Sequence, residues 1–143
     1  MTIDFTGRTV IVTGAGSGLG RAHALGFAKL GARVLVNDIG QDGGSAAARA
    51  VVAEIETLGG EAMADGADVS SFEQVGAMIA AAEARWGGVD VLVNNAGILL
   101  DRSFGKMSMD EFRRVIEVHL IGSANWAKAV WAGMRDRGYG RLI

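Results

Sequence analysis

Residues 13–20 read Thr-Gly-Ala-Gly-Ser-Gly-Leu-Gly and lie between an apolar run and an amphipathic segment. The preceding Val10, Ile11 and Val12 are β-branched and uncharged, which is typical of a strand buried on both faces. After the glycines, apolar residues recur at helical intervals until Gly31. Glycines let a backbone approach a phosphate closely, and a helix N-terminus points free N–H groups at it. The stretch therefore predicts an anion-binding turn.

The spacing of the glycines narrows the kind of ligand. A Walker loop needs a lysine after its second glycine, and the first lysine of the chain is Lys29. The Gly-x-Gly-x-x-Gly fingerprint also fails, because its third glycine would fall on Leu19. The pattern present, Thr-Gly-x-x-x-Gly-x-Gly, resembles the cofactor loop of the short-chain dehydrogenases/reductases; the alternative is a turn that only packs a helix onto a strand. The resemblance implies cofactor contacts from Gly14, Ser17, Gly18, Leu19 and Gly20.

An acidic residue, Asp38, ends the next predicted strand, residues 33–38. A carboxylate there accepts hydrogen bonds from the adenosine ribose hydroxyls of NAD. The same charge would repel a 2′-phosphate by about 1–4 kcal/mol at ~4 Å, depending on the local dielectric. Neither Ile39 nor Ser17 is basic, and Asp38 also suits the start of a turn before Gly40. The sequence predicts NAD rather than NADP as the cofactor.

Composition excludes several classes of protein. The chain has 143 residues, 50% hydrophobic and 21% charged, which is enough for one domain with a core. A net charge of −2 without a basic block predicts no nucleic-acid or membrane partner. There is no cysteine, and His23 and His119 are far apart, so no metal site is expected. Without a secretory leader or an apolar run of transmembrane length, the sequence predicts a cytoplasmic protein.

Strand and helix patterns alternate along the chain. This order predicts an α/β fold of the Rossmann type, a doubly wound parallel sheet in the order 3-2-1-4 with a partial fifth strand and helices on both faces. Residues 40–44 are predicted to form a flexible loop, and the last helix has a possible break near Gly122. The predicted strands are 10–12, 33–38, about 61–67, 89–93 and one starting at 141; the helices after the first are 45–58, from Ser70 or Ser71 to Trp86, and 110–137.

A polar segment, Asn94-Asn95-Ala96-Gly97, follows the strand 89–93 and resembles the second signature of the same family. Ligands bind outside the carboxyl ends of parallel strands. One asparagine amide is expected to bridge the backbones of neighbouring strands while the other faces the cofactor; the alternative is a polar turn. By resemblance, Asp68 and Val69 flank the adenine.

His119 stands where most family members carry an asparagine that helps to hold a water of the proton relay. A histidine can also bind such a water and titrates near neutral pH, so His119 is the predicted catalytic residue; a structural histidine is the alternative. The stretches 36–40, 94–104 and 118–123 resemble the (3R)-hydroxyacyl-CoA dehydrogenase units of peroxisomal multifunctional enzymes.

By resemblance, the family acts through a serine and a Tyr-x-x-x-Lys pair; the serine is expected after the strand that begins near Arg141, beyond residue 143, and no Tyr-x-x-x-Lys pair is present. The only tyrosine is Tyr139, and the residue four positions on is Ile143. Residues 1–143 are therefore expected to be the NAD-binding N-terminal portion of a single domain without its catalytic part, and inactive alone. The resemblance implies an oxidoreductase that interconverts a secondary alcohol, such as a 3-hydroxyacyl-CoA or a hydroxysteroid, and a ketone. Residues 101–103 lie either at the substrate mouth or in a solvated loop.

Two other functions stay open at this point. A non-catalytic dinucleotide-binding or regulatory module is disfavoured, because the strand 89–93 would then be an apolar edge beside an incomplete fifth strand. An interaction protein would use Trp126 and Trp131. The long apolar helix 110–137 predicts a homodimer or homotetramer with two-fold symmetry.

Overall fold

The computed structural model describes residues 3–41 and 43–143, which form a five-stranded sheet in the order β3-β2-β1-β4-β5. Every neighbouring pair is parallel, so the predicted topology is confirmed, including the short fifth strand. Asp42, part of the loop predicted to be flexible, lies outside the described residues. The strands are β1 Thr9–Val12, β2 Arg33–Asn37, β3 Glu61–Asp65, β4 Val91–Val93 and β5 Arg141–Leu142.

Helices follow the strands as the alternating pattern predicts. The sequence suggested a break near Gly122 in the long helix of the second half. The helix instead continues through a π-helical turn, Glu117–Ile121, into α5. A Cβ on Gly122 would lie 2.7 Å from Cγ2 of Val69, so glycine lets this helix pack against the loop after β3. The helices are α1 Gly18–Lys29, α2 Ala46–Thr57, α3 Phe72–Trp86, α4 Met109–Ile116 and α5 Gly122–Asp136, with a short 3₁₀ turn at Phe104–Lys106.

Serine side chains begin three of these helices. Ser45, Ser71 and Ser108 each accept a hydrogen bond from a backbone N–H of the first helical turn. Ser108 and Glu111 bind each other's backbone in a capping box. Of the two serines proposed to start α3, Ser71 is therefore the cap.

Three strands are shorter than predicted: β2 ends one residue early, at Asn37, and β3 and β4 each lack two of the predicted residues. β3 ends at Asp65, whose carboxylate accepts from the N–H of Ala67 and turns the chain away. β4 begins at Val91, and the carboxylate of the preceding Asp90 accepts from the N–H of Thr9. Alternation of apolar and polar residues carries no signal for either contact.

The core has two layers, one on each face of the sheet. Val10, Val12, Val34 and Val36 pack with α1 and α2 on one face. On the other face, Ile11, Leu35 and Leu92 pack with α3 and α5, whose Trp126 is fully buried. Trp126 is therefore a core residue and offers no docking surface, whereas Trp131 is exposed.

Candidate functional site

The glycine turn lies at the carboxyl end of β1, where it contacts the segment after β4. Gly14 has φ +60°, and a Cβ there would lie 2.9 Å from Cα of Ala96. A Cβ on Gly20 would meet the Gly14 carbonyl and lie 2.5 Å from Nδ2 of Asn95. Gly18 has φ +54° but open space around it. Gly14 and Gly20 thus permit close packing, and Gly14 and Gly18 permit a left-handed backbone.

The start of α1 is open to solvent. Ser17 is the N-cap, but its side chain makes no capping hydrogen bond, and the first turn contains no acidic residue. Ser17, Gly18 and Leu19 are exposed, Leu19 at 74%. The N–H groups of this helix end are therefore not neutralised by a side chain, which suits an anion.

Thr13 and Asn95 tie the glycine turn to the segment after β4. The buried Thr13 hydroxyl accepts from the N–H groups of Asn95, at 3.0 Å, and Ala96, at 2.9 Å. Asn95 Nδ2 donates to the carbonyls of Thr13, at 2.9 Å, and Gly14, at 3.1 Å. Asn95 is thus the asparagine that bridges neighbouring strands, while the N–H of Asn94 donates to the carbonyl of Ile143 at 2.8 Å.

Asp38 follows β2 and lies against the glycine turn. Its Oδ2 accepts from the Ser45 hydroxyl at 2.5 Å and occupies the space that a side chain on Gly16 would need. The carboxylate is half-buried, so its direction is fixed by Ser45 rather than by solvent. Ile39, next along the chain, is 58% exposed.

A buried polar pair holds the loop after β3. Asn37 Nδ2 donates to Oδ2 of Asp65 at 2.8 Å and to the carbonyl of Ala67 at 3.0 Å. Burial raises the pKa of the Asp65 carboxyl, although hydrogen bonds from Ala67 and Asn37 partly offset the effect. Asn37 and Asp65 are in register on β2 and β3, so this pair fixes both strand ends.

The next carboxylate, Asp68, binds a cation from a distant helix. Its Oδ1 accepts from the Ser70 N–H at 2.9 Å and the Ser70 hydroxyl at 2.6 Å, and its Oδ2 lies 3.4 Å from Nη2 of Arg114 on α4. Partial burial raises the pKa of Asp68, but the Ser70 hydrogen bonds and the Arg114 charge outweigh it, so the pKa lies below its ordinary value. Val69 is held by Asn125, whose Nδ2 donates to its carbonyl at 3.0 Å.

These elements enclose a cleft of about 100 Å³ at the carboxyl edge of the sheet. A larger cavity, of about 540 Å³, lies beside Arg33 and Glu61 near the amino ends of β2 and β3, but none of the predicted site residues lines it. The cleft brings together Gly14, Asp38, Asp68, Val69, Ala96 and Gly97 of the predicted residues; Ser17, Gly18, Leu19, Gly20, Asn94 and Asn95 do not line it.

His119 lies in the π-helical turn and contacts the chain just after Gly97. Its Nε2 is 2.9 Å from the carbonyl oxygen of Ile98 and 3.1 Å from the Ile98 nitrogen. One ring nitrogen either accepts or donates, so the tautomer decides which of the two hydrogen bonds forms. In either case the imidazole holds the backbone of Ile98.

Tyr139 lies at the opposite edge of the sheet from the cleft. The guanidinium of Arg8 is 3.8 Å from its ring centroid and that of Arg141 is 4.7 Å away. Arg8 and Arg141 flank β1 and β5 at their amino ends. In the loop 101–103, Arg102 pairs with Glu111 at 3.0 Å.

Sequence reasoning gave no role to several side chains that shape the cleft: Thr13, Asn37, Ser45, Asp65 and Arg114. Three of them carry a weak local signal, since Thr13, Asn37 and Asp65 are polar residues within two positions of the end of a predicted strand. Arg114 carries none, because it lies 46 positions from its partner Asp68. Among the described residues, no group of three or more His, Cys, Asp or Glu could hold a metal ion, and no helix is long and apolar enough to cross a membrane.

Comparison with known proteins identifies relatives over nearly the whole chain. The profile of the short chain dehydrogenase family matches residues 8–143. The peroxisomal multifunctional enzyme type 2 of Mus musculus is 47% identical over 146 residues, covering 99% of this chain and 20% of that protein. This match confirms the resemblance to multifunctional enzymes.

Two solved structures share the fold, and this chain covers a larger part of them than of the mouse enzyme. A short chain dehydrogenase from Mycobacterium avium is 50% identical with a TM-score of 0.88, over 97% of this chain and 54% of that one. A 7α-hydroxysteroid dehydrogenase complexed with NADH and 7-oxo glycochenodeoxycholic acid is 38% identical with a TM-score of 0.89, over 98% and 53%. The chain thus spans about half the length of these two structures and a fifth of the mouse enzyme.

The predicted cytoplasmic location is contradicted by these comparisons. Relatives in Mus musculus, Dictyostelium discoideum and Drosophila melanogaster are named as peroxisomal enzymes. The prediction rested on the lack of a secretory leader, which does not separate the cytoplasm from an organelle addressed by a short receptor-read signal.

Proposed function

The chain belongs to the short-chain dehydrogenase family, and from that premise we propose that residues 1–143 are the NAD-binding portion of an oxidoreductase that interconverts a secondary alcohol and a ketone. The observation that carries the proposal is the Asp38 carboxylate, fixed by Ser45 against the glycine turn. An acceptor at this place suits free ribose hydroxyls of a dinucleotide. The pyrophosphate would lie at the open start of α1, at Ser17, Gly18 and Leu19.

The charges of the cleft support NAD over NADP. Asp38 is half-buried, where repulsion of a 2′-phosphate is screened less than at the surface. Arg114 is the cation that lines the cleft in the described chain, and its guanidinium is paired with Asp68. It is therefore not free to neutralise a phosphate beside Asp38.

The substrate is proposed to be a hydrophobic secondary alcohol, either a 3-hydroxyacyl-CoA or a hydroxysteroid. The first follows from the resemblance to multifunctional enzymes, and the second from the neighbour solved with a 7-oxo bile acid. His119, through Ile98, is proposed to hold the backbone beside the reacting centre. The 143 residues contain no Tyr-x-x-x-Lys pair, so turnover is expected only from a longer chain.

The protein is further proposed to be a homodimer or homotetramer. Along α4, the π-helical turn and α5, Ile116, Leu120 and Trp131 are 39%, 61% and 57% exposed. Such a run of apolar side chains suits a self-complementary interface.

The test is titration of NAD and NADP against the full-length protein, with turnover followed by NADH absorbance on a panel of 3-hydroxyacyl-CoAs and hydroxysteroids. NAD is expected to bind more tightly. Asp38→Ala should narrow the preference for NAD over NADP by about tenfold, whereas Asp110→Ala, at a carboxylate that is 95% exposed on α4, should not. An unchanged preference in Asp38→Ala would overturn the assignment of Asp38, and dinucleotide binding without any turnover would favour a non-catalytic module.

A further inference from the structure

One wall of the cleft is formed by Arg114, whose side chain reaches from α4 to the loop after β3. Its Nη2 lies 3.4 Å from Oδ2 of Asp68, and its Nη1 donates to the Ser70 hydroxyl at 3.2 Å. Ser70 in turn donates twice to Oδ1 of Asp68. The two carboxylate oxygens therefore have separate partners, Ser70 on one and Arg114 on the other.

The backbone around Asp68 is fixed independently of Arg114. The N–H of Asp68 donates to Oε1 of Gln74 at 2.9 Å, and the next carbonyl, of Val69, accepts from Asn125. Loss of Arg114 would therefore leave the loop in place. What Arg114 fixes is the rotation of the carboxylate and the direction of its Oδ2.

The charge of Arg114 also matters for an anionic ligand. Asp38 and Asp68 both line the cleft, and Arg114 supplies a positive charge next to them. Without Arg114, the Asp68 carboxylate would add a second uncompensated negative charge to the cleft.

On the basis of the function proposed above, and taking from the family resemblance that Asp68 lies beside the adenine, we propose that Arg114 is a positioning residue: it aims Oδ2 of Asp68 at the exocyclic amino group of that base. A carboxylate only accepts hydrogen bonds, so an amino group suits it and a carbonyl does not. The pair Arg114–Asp68 thus selects an adenine dinucleotide over one whose purine carries a carbonyl at that position. Arg114 acts through Asp68 and does not contact the base.

The experiment measures the dissociation constants of NAD and of nicotinamide hypoxanthine dinucleotide on the full-length protein. Hypoxanthine replaces the amino group with a carbonyl, so the ratio of the two constants reports on this one contact. The wild type is expected to prefer NAD by about tenfold, the size of one charge-assisted hydrogen bond. Arg114→Met should reduce the ratio to about threefold or less, mainly by weakening the binding of NAD. Arg114→Lys should recover part of the ratio.

Two further variants separate positioning from a general effect of charge. Arg113→Met removes a neighbouring arginine of α4 that pairs with Asp110 at 3.0 Å and does not line the cleft, so the ratio should not change. Asp68→Asn should lose the preference by itself. Adding Arg114→Met to it should cause no further loss, because Arg114 acts through Asp68.

The possible outcomes are distinct. Equal weakening of both dinucleotides by Arg114→Met, additive losses in the double variant, or a matching effect of Arg113→Met would each overturn the proposal. Equally tight binding of NAD and nicotinamide hypoxanthine dinucleotide by the wild type would also overturn the proposal, because Arg114 would then serve as a donor to the base. Failure of the wild type to bind either dinucleotide would instead overturn the proposed function.

Discussion

Asp65 and Asp68 are three residues apart, yet their surroundings move their pKa values in opposite directions. Burial raises the pKa of Asp65, even though Ala67 and Asn37 donate to it. At Asp68, which is less buried, hydrogen bonds from Ser70 and the charge of Arg114 outweigh burial and lower the pKa. The difference follows from the partners, since Asp65 binds only neutral donors.

The two shifts predict opposite pH dependences of stability. The folded chain binds the Asp65 proton more tightly than the unfolded chain, so this contribution is present below the ordinary carboxyl pKa of 3.8 and is lost as pH rises through the raised value. The contribution of Asp68 is present above 3.8 and is lost as pH falls through the lowered value.

The measurement is the free energy of unfolding of the full-length protein by urea between about pH 3 and pH 7, for wild type, Asp65→Asn and Asp68→Asn. As pH rises, the free energy of unfolding of the wild type should fall relative to that of Asp65→Asn. Over the same rise in pH, the free energy of unfolding of the wild type should increase relative to that of Asp68→Asn. If these free-energy differences did not change with pH, the folded environments would not shift the pKa values of the two carboxyls.

His119 offers a second test at the scale of one side chain. His119→Leu removes the nitrogen that contacts the N–H and carbonyl of the half-buried Ile98. If the proposed function is right, we expect kcat of the full-length protein to fall by about a hundredfold, because the backbone beside the reacting centre loses its support. His119→Asn should retain most of the activity, because an amide can also donate to or accept from the backbone. His23→Leu is the control, since His23 is exposed on α1. Full activity in His119→Leu would refute the proposed role of this histidine in holding Ile98 beside the reacting centre.

At the scale of elements, the glycines of α1 fall into two kinds. Gly20 is buried against the Gly14 carbonyl, Nδ2 of Asn95 and Cα of Ala15, whereas Gly26 is exposed and a Cβ there would meet nothing within 4 Å. The first glycine is needed for packing; the second is only a cost to the helix.

We therefore expect opposite effects of the same substitution on one helix. Gly20→Ala should destabilise the protein by about 1–3 kcal/mol, because two of its three neighbours are backbone atoms that do not move cheaply, and should weaken NAD binding. Gly26→Ala should stabilise it by about 0.5–1 kcal/mol without changing NAD binding. Urea unfolding and NAD titration measure both, and a Gly20→Ala protein as stable as wild type would contradict the packing role.

The elements also show what local sequence patterns can and cannot predict. The buried run Val10–Val12 and the choice of Ser70 or Ser71 as a cap predicted β1 and the start of α3 within a residue or two, because these signals are local. The π-helical turn was not foreseen, since it lies in the same apolar pattern as α4 and α5. The Arg114–Asp68 pair depends on how α4 crosses the loop after β3, which no neighbouring residue encodes.

At the scale of the molecule, the parallel order β3-β2-β1-β4-β5 places the ends of β1, β2, β3 and β4 at one edge. Polar residues that are far apart in sequence therefore meet there: Thr13 after β1, Asp38 after β2, Asp68 after β3 and Asn95 after β4. The topology could be predicted, and with it the cleft. The pairing of its side chains could not, because it depends on loop geometry.

The last prediction concerns assembly of the whole molecule through α4 and α5. Leu120 and Trp131 are 61% and 57% exposed, and covering each would contribute about 1.5–3 kcal/mol. In a two-fold interface every substitution occurs twice, and a buried unpaired charge costs more than the lost apolar contact. Leu120→Glu or Trp131→Glu should therefore convert the full-length protein to monomers in light scattering at high micromolar concentration. Leu58→Glu, at a position 58% exposed after α2, should leave the assembly intact, and a monomeric wild type would refute the interface.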